Sequence, residues 1–321
     1  MQCSHGLQRN DRRGLLLTPF QSDRRQKAIN APMSPPSRDP QIDPRIACRR
    51  LKMESVELCY TDVAGSGRPF VLLHGLTGHR DDFIHCLPDM DANVRWLAPD
   101  LRGHGDFSHT HRPETFTFDQ LTEDFRQFLD ALGEPQCDLL GHSVGGMVAL
   151  RFALSYPERV HSMVLMSTAP FCPEDYSRQT FEVAGRIIDE KGMGFLQEAV
   201  EKSWRANPVE SGATHSERWA EIYWPHHRRR YRAMDPAAYA ALGIHMVEQE
   251  DLTARLRDIR CPTTILVGED DHEFISGANA LAREIPEAVR IDIDNAGHHP
   301  HMENSAAWHR AIQAHIDRTR G

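Results

Sequence analysis

No apolar run in this 321-residue chain approaches the roughly 18 residues that a membrane helix needs, and Leu15-Leu16-Leu17 is too short for a secretory leader. No membrane span is expected. Cys-x-x-Cys pairs are absent too: the seven cysteines, at 3, 48, 59, 86, 137, 172 and 261, are odd in number and scattered, which indicates neither a disulfide framework nor a zinc ribbon. A reducing, cytoplasmic setting fits that usage. The 19 histidines include no His-Glu-x-x-His, and a mononuclear zinc site needs three or four convergent ligands, so no metal or other cofactor is expected. Basic residues are scarce outside the first segment. Residues 1–52 hold 11 Lys and Arg against 4 Asp and Glu, which leaves residues 53–321 with an excess of 16 acidic side chains. An acidic body argues against nucleic acid or an anionic membrane as main partner. Nothing in the sequence specifies an oligomeric state.

What remains is ordinary globular composition, 40% apolar and 26% charged with 21 Gly and 20 Pro, which excludes collagen-like, coiled-coil and wholly disordered chains. Residues 1–52, rich in Arg, Gln, Ser and Pro and without periodicity, read as a disordered extension outside the fold. Their composition suits an organelle transit segment or a chain whose true start is Met53. From there a regular pattern begins. Val56, Leu58 and Tyr60 alternate, and Phe70-Val71-Leu72-Leu73 is a run suited to a strand buried on both faces. Similar runs recur at Val94–Ala98, Cys137–Leu140, Val160–Met166, Thr263–Val267 and Val289–Ile293, most followed by a helical stretch, which predicts a mainly parallel, doubly wound α/β sheet.

The helices carry their own signals. Phe118, Leu121, Phe125, Phe128, Leu129 and Leu132 share a face, Thr117 and Gln120 are spaced as a capping box, and Gly133 ends the run. Ala278, Leu281, Ala282 and Ile285 make a second stripe, and Trp308, Ile312 and Ile316 a last helix outside the sheet. Between 171 and 252 strand signals stop, and helical pieces with Trp204, Trp219, Tyr223, Trp224 and Tyr231 take over. The predicted organisation is therefore a core of 53–170 and 253–321 with a helical cap or lid at 171–252, since large insertions in such sheets project from the strand ends where ligands bind. Most of those aromatic residues are expected to fill the insertion's own small core.

Chemistry is concentrated at Gly141-His142-Ser143-Val144-Gly145, a Gly-x-Ser-x-Gly between a buried strand and a helix. A serine at such a turn is held in a strained backbone conformation, and side chains at 141 and 145 would clash, hence glycine on both sides. The helix that follows aims N–H groups at developing negative charge. A serine hydroxyl needs a base, and the base needs a group that fixes its tautomer. Downstream candidates sit where strands end: Gly268-Glu269-Asp270-Asp271 and Gly297-His298-His299. Adjacent residues of an extended chain point in opposite directions, so only one of Asp270 and Asp271 can face His298.

Together, His74-Gly75-Leu76-Thr77-Gly78, Asp100-Leu101-Arg102-Gly103-His104-Gly105, the Ser143 turn, Gly268-Glu269-Asp270-Asp271 and Gly297-His298 resemble the α/β-hydrolase superfamily from about Glu54 to the C-terminus. The resemblance implies Ser143, Asp271 and His298 as catalytic triad, with Asp270 the alternative acid, and the backbone N–H groups of Leu76 and Val144 as oxyanion hole. His74, Arg102 and His104 then shape their loops, and His142 lines the turn or pocket. His299 and His301 are read as bystanders, and the run His226–Arg232 as a solvated face. The implied activity is hydrolysis of a small-molecule substrate, a carboxylic ester, thioester or lactone, through an acyl-enzyme. Related members with the same three residues cleave carbon-carbon bonds of ring-cleavage products, whereas relatives that open epoxides or haloalkanes carry aspartate at the position of Ser143. A hydrolase-fold binding protein without turnover is the reading from a different class.

Overall fold

A computed structural model of the chain describes residues 43–206 and 217–320, with backbone alone for 217–220. Eight strands form one sheet: β1 (Ile46–Lys52), β2 (Glu57–Val63), β3 (Ser66–Leu73), β4 (Val94–Pro99), β5 (Cys137–His142), β6 (Val160–Met166), β7 (Thr263–Gly268) and β8 (Val289–Ile293), in the order β1-β2-β4-β3-β5-β6-β7-β8. The first two pairings, β1 with β2 and β2 with β4, are antiparallel, and all the others are parallel. Every apolar run expected to be a strand is one. The central strand β3 shows why its run is continuous: Phe70 and Leu72 face one core while Val71 and Leu73 face the other.

Helices cover both faces. On one side α1 (Phe118–Ala131), α2 (Val144–Ser155) and α6 (His272–Glu284) bury Leu121, Phe125, Met147, Leu150, Phe274 and Leu281. On the other, α8 (Ser305–Arg320) buries Trp308, Ile312 and Ile316 against Phe70 and Trp96. The Thr117 hydroxyl accepts from Gln120 N at 3.1 Å, so the cap forms; the reciprocal half does not, because the Gln120 amide donates to Asp124 instead. Between β6 and β7 lie three helices, α3 (Arg178–Ala206, broken at Gly192 where φ is 81°), α4 (Glu217–Arg232) and α5 (Pro236–Val247). Tyr223 and Trp224 fill a small core there with Met302, as expected for the aromatic residues of the insertion; the side chain of Trp219 lies outside the described residues.

The boundary expected at Met53 is corrected. Residues 46–52 are not outside the fold: they form β1, paired with β2 from Ile46↔Val63 to Lys52↔Glu57, while residues 1–42 lie outside the described residues. Period-2 patterning fails here because β1 is an edge strand with little apolar surface to bury, and its Arg49 and Arg50 instead pair with Asp62 and Glu57, each at 2.8 Å. No described helix is long and apolar enough to cross a membrane.

Candidate active site

Because β3, β5, β7 and β8 run parallel, the segments that follow them emerge at one edge of the sheet, and each carries one of the residues singled out above. β5 ends at His142 and α2 begins at Val144, which leaves one residue to reverse the chain. Ser143 does so at φ 53° and ψ −121°, a conformation costly to any residue with a Cβ. Its backbone is over-determined: Ser143 N donates to Met166 O (3.0 Å), and its carbonyl accepts from Gly146 N (2.9 Å) and from the Thr168 hydroxyl (2.7 Å). A Cβ on Gly141 would stand 2.5 Å from Gly145 O, and one on Gly145 would stand 2.5 Å from the carbonyls of both Leu73 and His74. Glycine is therefore needed at both positions for close approach.

The turn after β3 lies against the serine. A Cβ built on Gly75 would fall 3.0 Å from Ser143 Cβ and 3.5 Å from Ser143 Oγ, so Leu76 follows directly beside the hydroxyl. Val144 is the first residue of α2, and its N–H has no carbonyl partner within the helix. Fully buried His74 holds the loop: Leu101 N donates to its Nε2 at 3.0 Å, which puts the proton on Nδ1, and Nδ1 donates to Gly75 O at 2.9 Å. Burial keeps this ring below the ordinary histidine range. Arg102 makes a paired contact with Asp124, 2.6 Å on each oxygen, and His104 bonds the Arg102 carbonyl, so both brace the turn after β4.

Backbone pairing brings the acid and the histidine together. Glu269 N donates to Ile293 O and Asp270 N to Ala296 O, zipping the end of β7 to the segment after β8. Asp271, 4% exposed, then turns inward and its carboxylate oxygens lie 3.2 and 3.3 Å from His298 Nδ1, while Asp270 faces solvent. The His298 ring stacks on Phe274 at 4.7 Å. Burial opposes the imidazolium, but the charge and hydrogen bond of Asp271, helped by Glu273 and Glu303, outweigh it and raise the His298 pKa. Next to the serine, His142 lies 4.8 Å from the His298 ring and its Nε2 donates to the His298 carbonyl at 2.7 Å. Burial, with His298 and His301 adding to it, holds His142 neutral.

One expectation is overturned. The run from His226 to Arg232 is not a solvated face. At helical spacing His227, Arg230 and Tyr231 point inward and are buried, and only part of the run stays in water. Arg230 lies 3.6 Å from buried Asp82, His226 bonds the same carboxylate at 2.7 Å, and Arg229 pairs with Asp81 at 2.7 Å. These contacts fasten α4 to the segment that follows the Leu76 turn. Sequence reasoning missed Asp82, Arg230 and Glu303. The inward spacing of 227, 230 and 231 was a usable signal for the insertion, whereas Asp82, in a charged Arg80-Asp81-Asp82 run, and Glu303 carry none. Among the described residues no cluster of three or more His, Cys, Asp or Glu could hold a metal ion.

Comparison with known proteins agrees with this fold. The family model for the alpha/beta hydrolase fold matches residues 68–305. A candidate 2-succinyl-6-hydroxy-2,4-cyclohexadiene-1-carboxylate synthase of Bacillus subtilis (strain 168) is 28% identical over 250 residues, 75% of this chain and 88% of that protein. Epoxide hydrolase 4 of Mus musculus is 31% identical over 150 residues, 46% of this chain and 41% of that protein, so this chain spans less than half of that relative's length. Among solved structures, a thermophilic esterase from Thermogutta terrifontis superposes with a TM-score of 0.71 at 26% identity, covering 85% of this chain and all of the other.

Proposed function

On the premise that this chain belongs to the α/β-hydrolase fold family, we propose that it is a serine hydrolase that cleaves a carboxylic ester, thioester or lactone through an acyl-enzyme on Ser143. The observation that carries this reading is the Asp271–His298 pair, whose ring lies 4.8 Å from that of His142, the residue before a serine on a strained turn with the Gly75 backbone alongside its hydroxyl. In the proposed cycle His298 takes the Ser143 proton as Oγ attacks the carbonyl, and Asp271 steadies the imidazolium. The N–H groups of Leu76 and Val144 hold the oxyanion, each worth roughly 10²- to 10³-fold in turnover. The imidazolium then protonates the leaving alcohol, thiol or ring oxygen. Water, deprotonated by His298, attacks the acyl carbonyl, and collapse of the second tetrahedral intermediate breaks the bond to Oγ and frees the acid.

Residues 171–252 are proposed as the lid that shapes the substrate pocket, since they leave the sheet at the end of β6, between the strands that present Ser143 and Asp271. Ser143 weighs against epoxide opening, because relatives with that activity carry aspartate there. The test is a screen of aryl esters, thioesters, lactones and ring-cleavage dienones beside a Ser143→Ala control, with fluorophosphonate labelling of the folded protein. Turnover of an acyl substrate and a covalent adduct at Ser143, both absent from the control, are expected. A large preference for the dienone would move the assignment to carbon-carbon hydrolysis, and no adduct with no turnover would overturn catalysis in favour of binding.

A further inference from the structure

Glu303 ends the short helix α7 (Pro300–Glu303) and is 2% exposed. A carboxyl so far from water needs hydrogen-bond donors or a proton of its own. Glu303 has a donor: the N–H of Gly297, the residue before His298, donates to its carboxyl. The α7 turn closes the grip, with Met302 N and Glu303 N donating to His299 O at 2.8 and 2.9 Å. Other charged and titratable groups face the same volume: Asp271 and Glu273 at the start of α6, His142 at the end of β5, and Tyr223 on α4.

We propose that Glu303 is a positioning residue for His298, holding the Gly297 amide beside it and adding its negative charge to that of Asp271 in favour of the imidazolium. The proposal rests on the acyl-transfer reading above. Burial pushes the Glu303 carboxyl up to about 7 against the pull of the Gly297 amide, with Asp271 raising it further and His298 lowering it. It therefore changes charge near neutrality, and its charge acts on the adjoining imidazole, whose titration is thereby coupled to it.

The experiment measures the rate of fluorophosphonate labelling at Ser143 from about pH 5 to about pH 9, where an acid limb reports the base. Glu303→Gln keeps the volume and an oxygen acceptor but no charge, and is expected to move the acid limb to lower pH by roughly half a unit or more. Glu303→Asp keeps the charge but is one methylene too short to hold the Gly297 amide; its limb stays in place while labelling slows by roughly tenfold or more. An unmoved limb in Glu303→Gln, or identical behaviour of the two variants, overturns the proposal. The unsubstituted protein supplies a readout that needs no variant to fold: the His298 ring carbon proton, followed by NMR, titrates in two coupled steps, and a single step overturns the pairing. If the unsubstituted protein takes no label at Ser143, the acyl-transfer reading has failed first, and this role falls with it.

Discussion

Asp271 Oδ2 stands 3.2 Å from His298 Nδ1, while Asp270, its neighbour in the chain, is exposed. The choice between two adjacent carboxylates becomes an experiment. Asp271→Asn is expected to leave the fold intact and lower kcat by roughly 10⁴-fold, because the amide favours the wrong imidazole tautomer. Asp270→Asn should stay within about twofold of the parent, as exposed substitutions usually do. Steady-state kinetics on one ester substrate decide it, and equal losses would reassign the acid.

The raised His298 pKa fixes the sign of two pH effects. The imidazole must be neutral to accept the serine proton, so kcat/KM should fall on the acid side with a midpoint above 6.5, the ordinary histidine value. For stability the sign is opposite. A basic group whose folded pKa is raised contributes stability that is fully present below its unfolded pKa and lost as pH rises through the folded value. The loss of thermal stability in Asp271→Asn should therefore be larger near pH 5.5 than near pH 8.5, as melting curves at the two pH values would show.

Backbone geometry at the nucleophile turn gives a further pair of outcomes. Ser143 sits at φ 53°, so Ser143→Gly should melt above Ser143→Ala by about 1 kcal/mol of stability, both being inactive. Gly145→Ala goes the other way. Its Cβ would meet two carbonyl oxygens at 2.5 Å, neither on a flexible side chain, and the protein should lose roughly 1–3 kcal/mol in denaturant unfolding. A Gly145→Ala protein as stable as the parent would show that the turn can open.

These outcomes separate what the sequence announces from what it conceals. Buried parallel strands announce themselves because both faces need apolar side chains, which is why Phe70–Leu73 and Val160–Met166 were legible. Ser143 was legible because its turn demands glycine on both sides. β1 was hidden: on an edge strand held by backbone pairing and Arg–acid contacts, no apolar period is required. Glu303 and Asp82 were hidden for a different reason. Neither belongs to a motif, the partners of each come from elsewhere in the fold, and only the tertiary structure shows that Gly297 or Arg230 will be there.

The Asp82–Arg230 contact yields the last prediction. Both side chains are 4% exposed and lie 3.6 Å apart, and His226 also bonds the carboxylate. The charge of Asp82 offsets that of a guanidinium buried between α4 and the loop after β3. Asp82→Ala leaves Arg230 buried without that carboxylate and should cost roughly 3–5 kcal/mol, whereas the double variant Asp82→Ala/Arg230→Met removes the orphaned charge and should recover a large part of the loss. Denaturant unfolding of the four proteins gives the coupling directly. Because these contacts tie α4 to the segment just after Leu76, Asp82→Ala should also slow ester turnover, with kcat falling more than KM rises. Additive stability losses, with kcat unchanged, would mean that α4 and the loop are held by packing alone.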